Sequence, residues 1–299
     1  MNILYLKNIF AFEKIKLMLN IFFELIKLRL SLLVTFSALF GYVLASSNTI
    51  NYDKLFFLFL GGFLITSSSV INNQILEKDS DALMNRTKGR PIPTKRISIN
   101  NSLYISIIFA FFGFYFLVYF LNLLTGIISI LSLLIYSFIY TPLKKIGSIA
   151  VFVGAIPGAL PPLIGWVSAT NQISIEALVI FSIQFIWQFP HFWAIAWVAD
   201  EDYRKAGFKL LPNGGKKNFS TAINIMTYTL LLLPMGLLPT IIGITGLTSG
   251  VVAIICGVLF LIQTIHLVKD FSKKSALRIM FSSFLYLPIV QISYVLDKI

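Results

Sequence analysis

Long apolar runs alternate along this chain with short charged connections. Stretches free of Asp, Glu, Lys and Arg extend over 30–52, 55–76, 97–143, 146–175, 177–199, 218–268 and 279–296. A helix crosses a bilayer core with about 20 apolar residues. The runs 97–143 and 218–268 are long enough for two spans each, with breaks expected near Asn122–Gly126 and Pro239–Gly250. The pattern therefore predicts an all-α polytopic membrane protein, a single-domain bundle of nine transmembrane helices over 1–299. Only helices or closed barrels satisfy their backbones in lipid, and runs this long and uniformly apolar are not barrel strands.

Composition agrees. Of 299 residues, 57% are hydrophobic and 12% charged, about half the charged fraction of ordinary soluble domains. A lone Cys256 excludes an internal disulfide and a Cys-rich metal cluster. The net charge of +12 comes from Lys and Arg scattered between uncharged runs. That suits contact with a lipid bilayer and argues against a nucleic-acid partner.

The same charges predict orientation. Counting the N-terminal segment (Lys7, Lys14, Lys16, Lys27, Arg29) and the connections 77–96, 144–145, 200–217 and 269–278, 22 of the 24 Lys and Arg fall on one side of the spans. Lys54 and Lys298 are the exceptions. The N-terminus and those four connections are thus expected in the cytoplasm. Glu13 and Glu24 interrupt any signal-peptide core and no Arg precedes Arg29, so 1–29 reads as a basic cytoplasmic lead-in lying on the membrane surface.

Six of the twelve acids sit in two clusters: Glu77, Asp79 and Asp81 after the second span, and Asp200, Glu201 and Asp202 after the sixth. Acids grouped at a membrane boundary repel one another and are poorly solvated, so clustering calls for a reason. Asn73, Glu77 and Asp81 recur every four residues and share one helical face, drifting about 40° per step, while Asp79 points elsewhere. An amide oxygen and carboxylates are hard ligands suited to Mg²⁺ together with phosphate oxygens. Arg86, Lys88 and Arg90 follow the first cluster, and Arg204, Lys205 and Lys209 the second. Such cations fit a diphosphate, although the positive-inside bias alone would also place them there. A shift of 121 residues superposes Asp79 on Asp200, Asp81 on Asp202, Lys88 on Lys209 and Pro91 on Pro212. That places a shared site between the second and sixth spans, opening to the cytoplasmic face.

Two acidic clusters, flanking cations and an apolar interior suit a substrate with a diphosphate head and a greasy tail. An allylic diphosphate can ionise, with positive charge stabilising the departing group and a dry bundle protecting the carbocation. Trp187, Phe192, Trp193 and Tyr140 are candidate aromatic faces for such a cation.

The stretch 73–91, carrying Asn73, Glu77, Asp79, Asp81, Met84, Arg86, Thr87, Arg90 and Pro91, resembles the first motif of the UbiA-type intramembrane prenyltransferases. Its ending is similar to one branch, the haem-farnesylating one. So is a second stretch, with Gln188, Pro190, His191, Phe192 and Trp193 followed by Asp202, Tyr203, Arg204, Ala206, Gly207, Leu211 and Pro212. The resemblance spans the whole nine-helix layout. It implies farnesyl diphosphate and haem B as substrates, Mg²⁺ as cofactor, and attachment of the farnesyl group to a haem vinyl with addition of water, giving haem O. By position, Asn73, Glu77, Asp81 and Asp202 would form the catalytic metal centre, with Asp79 a further ligand. Arg86, Lys88, Arg90 and Arg204 would hold diphosphate. His191 would meet haem iron or a propionate, with Trp193 beside it in the substrate site. His191 can equally be a hydrogen-bonded helix residue, as His266 shows that histidine occurs here without a motif. Two positions depart from the family pattern: Glu77 replaces the usual Asp, and 199–201 lack a usual basic residue.

The resemblance also implies a bacterial inner membrane, and haem A synthase or terminal-oxidase assembly as a partner. One alternative keeps the chemistry and changes the acceptor to 4-hydroxybenzoate or another quinone precursor; the His-Phe-Trp segment argues against it, because the other branches resemble an acidic residue there. A cation transporter would carry its acids near mid-bilayer, whereas these lie at one interface.

Overall fold

The computed structural model describes the backbone of 3–46 and 49–299, and side chains from residue 13 onward within those segments. Among the described residues nine helices are long and apolar enough to cross a membrane. They are α2 (Leu28–Ala45), α3 (Tyr52–Leu76), α5 (Ile99–Phe120), α6 with its continuation to Leu143, α8 (Ile149–Thr170), α9 (Ile175–Val198), α12 (Phe219–Ile241), α13 (Leu247–Asp270) and α14 (Lys273–Leu296). The two long apolar runs divide at Leu121–Asn122, at the edge of the window expected from sequence, and at 242–246, inside the other. Their starts are set chemically. Asn51, Ser98, Asn122, Ser174, Asn218 and Ser272 each accept the backbone N–H three residues on, satisfying a donor that a helix start leaves free.

The bundle packs through close backbone approaches and pinned carbonyls. A Cβ on Gly41 would collide with the Pro162 carbonyl, and one on Gly165 with the Ala38 carbonyl, so these glycines let α2 and α8 touch. Helix α8 contains Pro157, Pro161 and Pro162. Pro161 and Pro162 have no N–H to offer the carbonyls of Pro157 and Gly158, four residues earlier. Ser132 donates to the Pro157 carbonyl at 3.4 Å and the Gln184 amide to that of Gly158 at 2.8 Å. Gln184 Oε1 in turn accepts from Ser37 at 3.0 Å and Gln291 at 2.9 Å. Five spans are thereby tied at mid-membrane depth. Large apolar side chains such as Phe36, Phe111, Leu259 and Leu285 cover the outer faces, as lipid contact requires.

Three local departures shape one end of the bundle. Helix α1 (Ile3–Leu25), the expected surface helix, turns into α2 through Lys27, at a left-handed φ of 44°. Helix α3 breaks at Glu77 (φ −96°, ψ 7°) and resumes as α4 (Lys78–Leu83); α9 breaks the same way at Ala199 (φ −96°, ψ 12°) before α10 (Asp200–Lys205). Helix α6 (Leu123–Leu134) widens into a π turn over Ile135–Tyr140 just ahead of Pro142 in α7 (Thr141–Leu143). A single π turn inside an α-helix is rare and frequently marks a functional site. The remaining short helix, α11 (Pro212–Gly215), precedes α12.

Candidate active site

The i→i+4 spacing survives the break in α3. Glu77 N–H donates to the Asn73 carbonyl at 2.9 Å and Asp81 N–H to the Glu77 carbonyl at 2.7 Å. Asn73, Glu77 and Asp81 therefore share one face and are 2%, 6% and 0% exposed, whereas Asp79 stands off it in solvent. Each of the three is anchored. Asn73 Nδ2 donates to Thr141 Oγ1 at 3.1 Å, which leaves the amide oxygen as its free ligand atom. Glu77 Oε1 pairs with Lys144 Nζ at 2.8 Å. Asp81 Oδ2 takes Arg90 Nη1 at 2.6 Å, while its Oδ1 is buried without a hydrogen-bond partner. A buried carboxylate oxygen without a donor is costly. One amide oxygen, two carboxylates and that open oxygen fit a hard cation such as Mg²⁺.

Lys144, Thr141, Tyr140 and Tyr136 reach this face from the π turn and the connection after it. Lys144 Nζ lies 4.5 Å from the Tyr140 ring centroid, and the Tyr136 and Tyr140 rings are 5.3 Å apart. From sequence Lys144 registers only as an orientation charge. Its spacing of four from Tyr140, matching that of Asn73 and Glu77, is the signal that could have found it.

The tips of the second and sixth spans meet, as the sequence predicts. Asp202 Oδ1 accepts the Asn85 N–H at 3.2 Å and Oδ2 the Arg86 N–H at 3.1 Å. Lys205, 3.1 Å from Oδ1, together with these amides holds the Asp202 carboxyl below the usual carboxylate range. Asp200 pairs with Arg204 at 3.0 Å and Lys217 at 3.3 Å, and the Arg86 guanidinium lies 5.7 Å from the Tyr203 ring centroid. The five-residue metal set expected from sequence is not drawn into one cluster: no three His, Cys, Asp or Glu side chains gather as a metal site among the described residues. Asp79 is exposed, and Asp202 is occupied in tying α10 to the chain after α4. The reason lies in the helix breaks. Asp81 falls four residues after its break at Glu77, but Asp202 only three after Ala199. The 121-residue shift thus matches residues that differ by about 100° in helical phase.

Two cavities lie near the acidic face, one lined by Arg90, the partner of Asp81, and the other by Tyr136. One, open and about 690 Å³, is lined by Lys27, Arg29, Arg86 and Arg90 with Glu24 and Leu30. Lys27 and Arg29 come from the lead-in, and from sequence they register only as orientation charges. Burial first, then the charges of Arg90 and Lys144, pull the Lys27 ammonium down to about 7. Lys88 is exposed beside this cavity, and Arg204 is 63% exposed away from it. The second cavity lies inside the bundle among α2, α3, α6 and α8, and it too touches Leu30. Its wall is apolar in effect. Thr35, Ser69 and Ser129 turn their hydroxyls to the carbonyls of Ser31, Ile65 and Thr125 at 2.7, 2.9 and 2.8 Å. A basic chamber and a greasy one thus meet at a single leucine.

His191 and Trp193 lie apart from both cavities. His191 Nδ1 is 2.8 Å from Ser283 Oγ on α14, and its ring stacks on Trp187 at 4.5 Å. Ser283 spends its one proton on the Met280 carbonyl at 2.6 Å. The neutral histidine must then donate from Nδ1, which leaves the Nε2 lone pair unshared. Trp193 is buried, edge-on to Tyr228 at 5.2 Å, with its indole N–H unpaired.

The UbiA prenyltransferase family model matches residues 34–287. A protoheme IX farnesyltransferase of Cytophaga hutchinsonii is 52% identical over 93% of this chain and 97% of its own. That of Flavobacterium psychrophilum is 44% identical over 95% and 96%. Among solved structures, a digeranylgeranylglyceryl phosphate synthase superposes with a TM-score of 0.78 at 20% identity, covering 93% of this chain and 98% of that one. A UbiA homolog from Archaeoglobus fulgidus bound to DMAPP and Mg²⁺ superposes with a TM-score of 0.64 at 14% identity, covering 91% and 98%. The shared architecture, the acidic face at the tip of the second span and these relatives together place the chain in the UbiA prenyltransferase family, among its protoheme IX farnesyltransferases.

Proposed function

We propose that this chain transfers the farnesyl group of farnesyl diphosphate to a vinyl group of haem B, giving haem O. The observation that carries the reading is the pair of cavities meeting at Leu30, one cationic and one apolar, beside the buried face of Asn73, Glu77 and Asp81. A diphosphate ester of an isoprenoid alcohol has the same two-part chemistry. Lys27, Arg29, Arg86 and Arg90 bind the head, and the apolar cavity takes the tail. Asn73, Glu77 and Asp81 would hold Mg²⁺, which supplies positive charge to the departing diphosphate. Asp202 acts through the loop it ties, keeping Arg86 at the mouth of the basic cavity.

The carbon–oxygen bond of the allylic ester breaks with both electrons leaving on diphosphate. The vinyl π pair then bonds to the allylic carbon, and water adds to the resulting haem cation with loss of a proton. Tyr136, at the rim of the apolar cavity, and Tyr140 beside it offer aromatic faces to the first cation. His191, fixed by Ser283 with Nε2 free, supports a haem-iron contact from the α9–α14 side. The positive-inside pattern supports a cytoplasmic N-terminus and a site opening to the cytoplasm, in a bacterial plasma membrane. A downstream haem A synthase or oxidase assembly fits the chemistry of the product.

The test is direct. Membranes holding the chain, given labelled farnesyl diphosphate, haem B and Mg²⁺, should yield a haem heavier by one farnesyl group and one hydroxyl. Asp81→Asn should cut that yield at least about a hundredfold while leaving insertion intact. Label appearing in a hydroxybenzoate and not in haem would transfer the reading to quinone-precursor prenylation.

A further inference from the structure

Gly61 and Gly62 are neighbours on α3 with different surroundings. A Cβ on Gly61 would strike the Leu117 side chain at 2.7 Å, so that glycine is needed for α3 to pack on α5. A Cβ on Gly62 would meet only the Thr35 methyl, at 3.8 Å, an ordinary contact, and Gly62 lines the apolar cavity. Glycine weakens a helix interior, and at position 62 no close packing requires it. What it provides is space at the deep end of the cavity.

Depth can be read from helix rise. Gly62 lies eleven residues along α3 from Asn73, about 16 Å at 1.5 Å per residue. On the facing helix, Ala38 lies eleven residues beyond Lys27, also about 16 Å. An extended isoprene unit adds four chain bonds, roughly 5 Å at ordinary carbon–carbon lengths. Counted from Asn73, the member of the acidic face nearest the cavity, three units reach the level of Gly62 and Ala38 and a fourth would run past it.

We infer that Gly62, with Ala38 opposite, is the floor of the tail cavity and determines which isoprenoid length the protein accepts. The inference rests on the prenyl-transfer reading above. A large side chain at position 62 fills the space of the last unit and leaves the head site, some three turns away, untouched.

The experiment offers the full chain an equal mixture of geranyl, farnesyl and geranylgeranyl diphosphates with haem B, and reads the products by mass. The parent chain should favour the farnesyl product. Gly62→Phe should raise the geranyl-to-farnesyl ratio at least about tenfold, since even single methylenes in a closed apolar pocket change selectivity on that scale. Ala38→Phe should move the ratio the same way, and Gly62→Ala should move it less. A second arm reads binding without turnover, as the rise in melting temperature caused by each diphosphate. In Gly62→Phe the largest rise should pass from farnesyl to geranyl. An unchanged ratio and an unchanged order of melting shifts would overturn the inference. So would a folded Gly62→Phe chain that loses geranyl and farnesyl transfer equally. If the parent chain prenylates nothing yet the melting order still shifts, the floor stands and the transfer reading fails.

Discussion

Lys27 shows how one side chain can belong to a site that its position in the chain hides. It sits at the joint between the lead-in helix and the first span, at positive φ, lining one cavity with Arg90 and within the field of Lys144, Glu77 and Asp81. Burial and the like charges bring it to about 7, so the free protein carries it partly neutral near physiological pH. A bound diphosphate anion favours the ammonium and raises its pKa. Below about pH 6 the group is already charged and binding takes up no proton there; between 7 and the ordinary lysine range it does. Calorimetry with inorganic diphosphate in buffers of different ionisation enthalpy should show close to one extra proton taken up at about pH 8.5, relative to Lys27→Met, and no difference at about pH 6. Equal uptake by both proteins at the higher pH would remove Lys27 from the head site. Asp81 is the complementary case: its four-residue spacing from Glu77 is plain in the sequence, but its pairing with Arg90 through one oxygen alone is not.

Helices carry the next level, where hydropathy was informative throughout and phase only where a helix runs on. The spans could be read directly, because lipid demands about 20 apolar residues. The helix breaks at Glu77 and Ala199 and the π turn before Pro142 leave no mark in hydropathy, yet they decide which residues meet. For that reason the spacing argument succeeded for Asn73, Glu77 and Asp81, where the helix runs on through the break. For Asp202 the match between clusters carried no such phase information, because it ignored a one-residue difference from the break. The α2–α8 contact offers a test at this scale. Gly165→Ala forces a methyl into the Ala38 carbonyl and should destabilise the bundle by about 1–3 kcal/mol. Thermal unfolding in detergent measures it, and an unchanged melting temperature would show that α2 can retreat without cost.

For the molecule as a whole, the charge asymmetry predicts which end of the bundle faces the cytoplasm. In a Cys256→Ser background, Lys88→Cys should react with a membrane-impermeant maleimide only after cells are opened. Leu247→Cys, at an exposed position on the opposite end, should react in intact cells. The reverse pattern would invert the topology. Distances between remote segments are what the one-dimensional pattern lacked: nothing in the spacing of Lys27, Lys144 and Arg90 says that they converge on one pair of carboxylates.

Leu30, touching both cavities, divides the proposed substrate between them. Before cleavage the two ends are one molecule, so each end is presented to its cavity at the high effective concentration set by the tether. Once the carbon–oxygen bond is broken that advantage ends, and each fragment is left with a single, weaker hold. Bond scission thereby loosens the grip on both products at once, releasing the anion toward water and committing the isoprenoid, now joined to its acceptor, to the lipid phase.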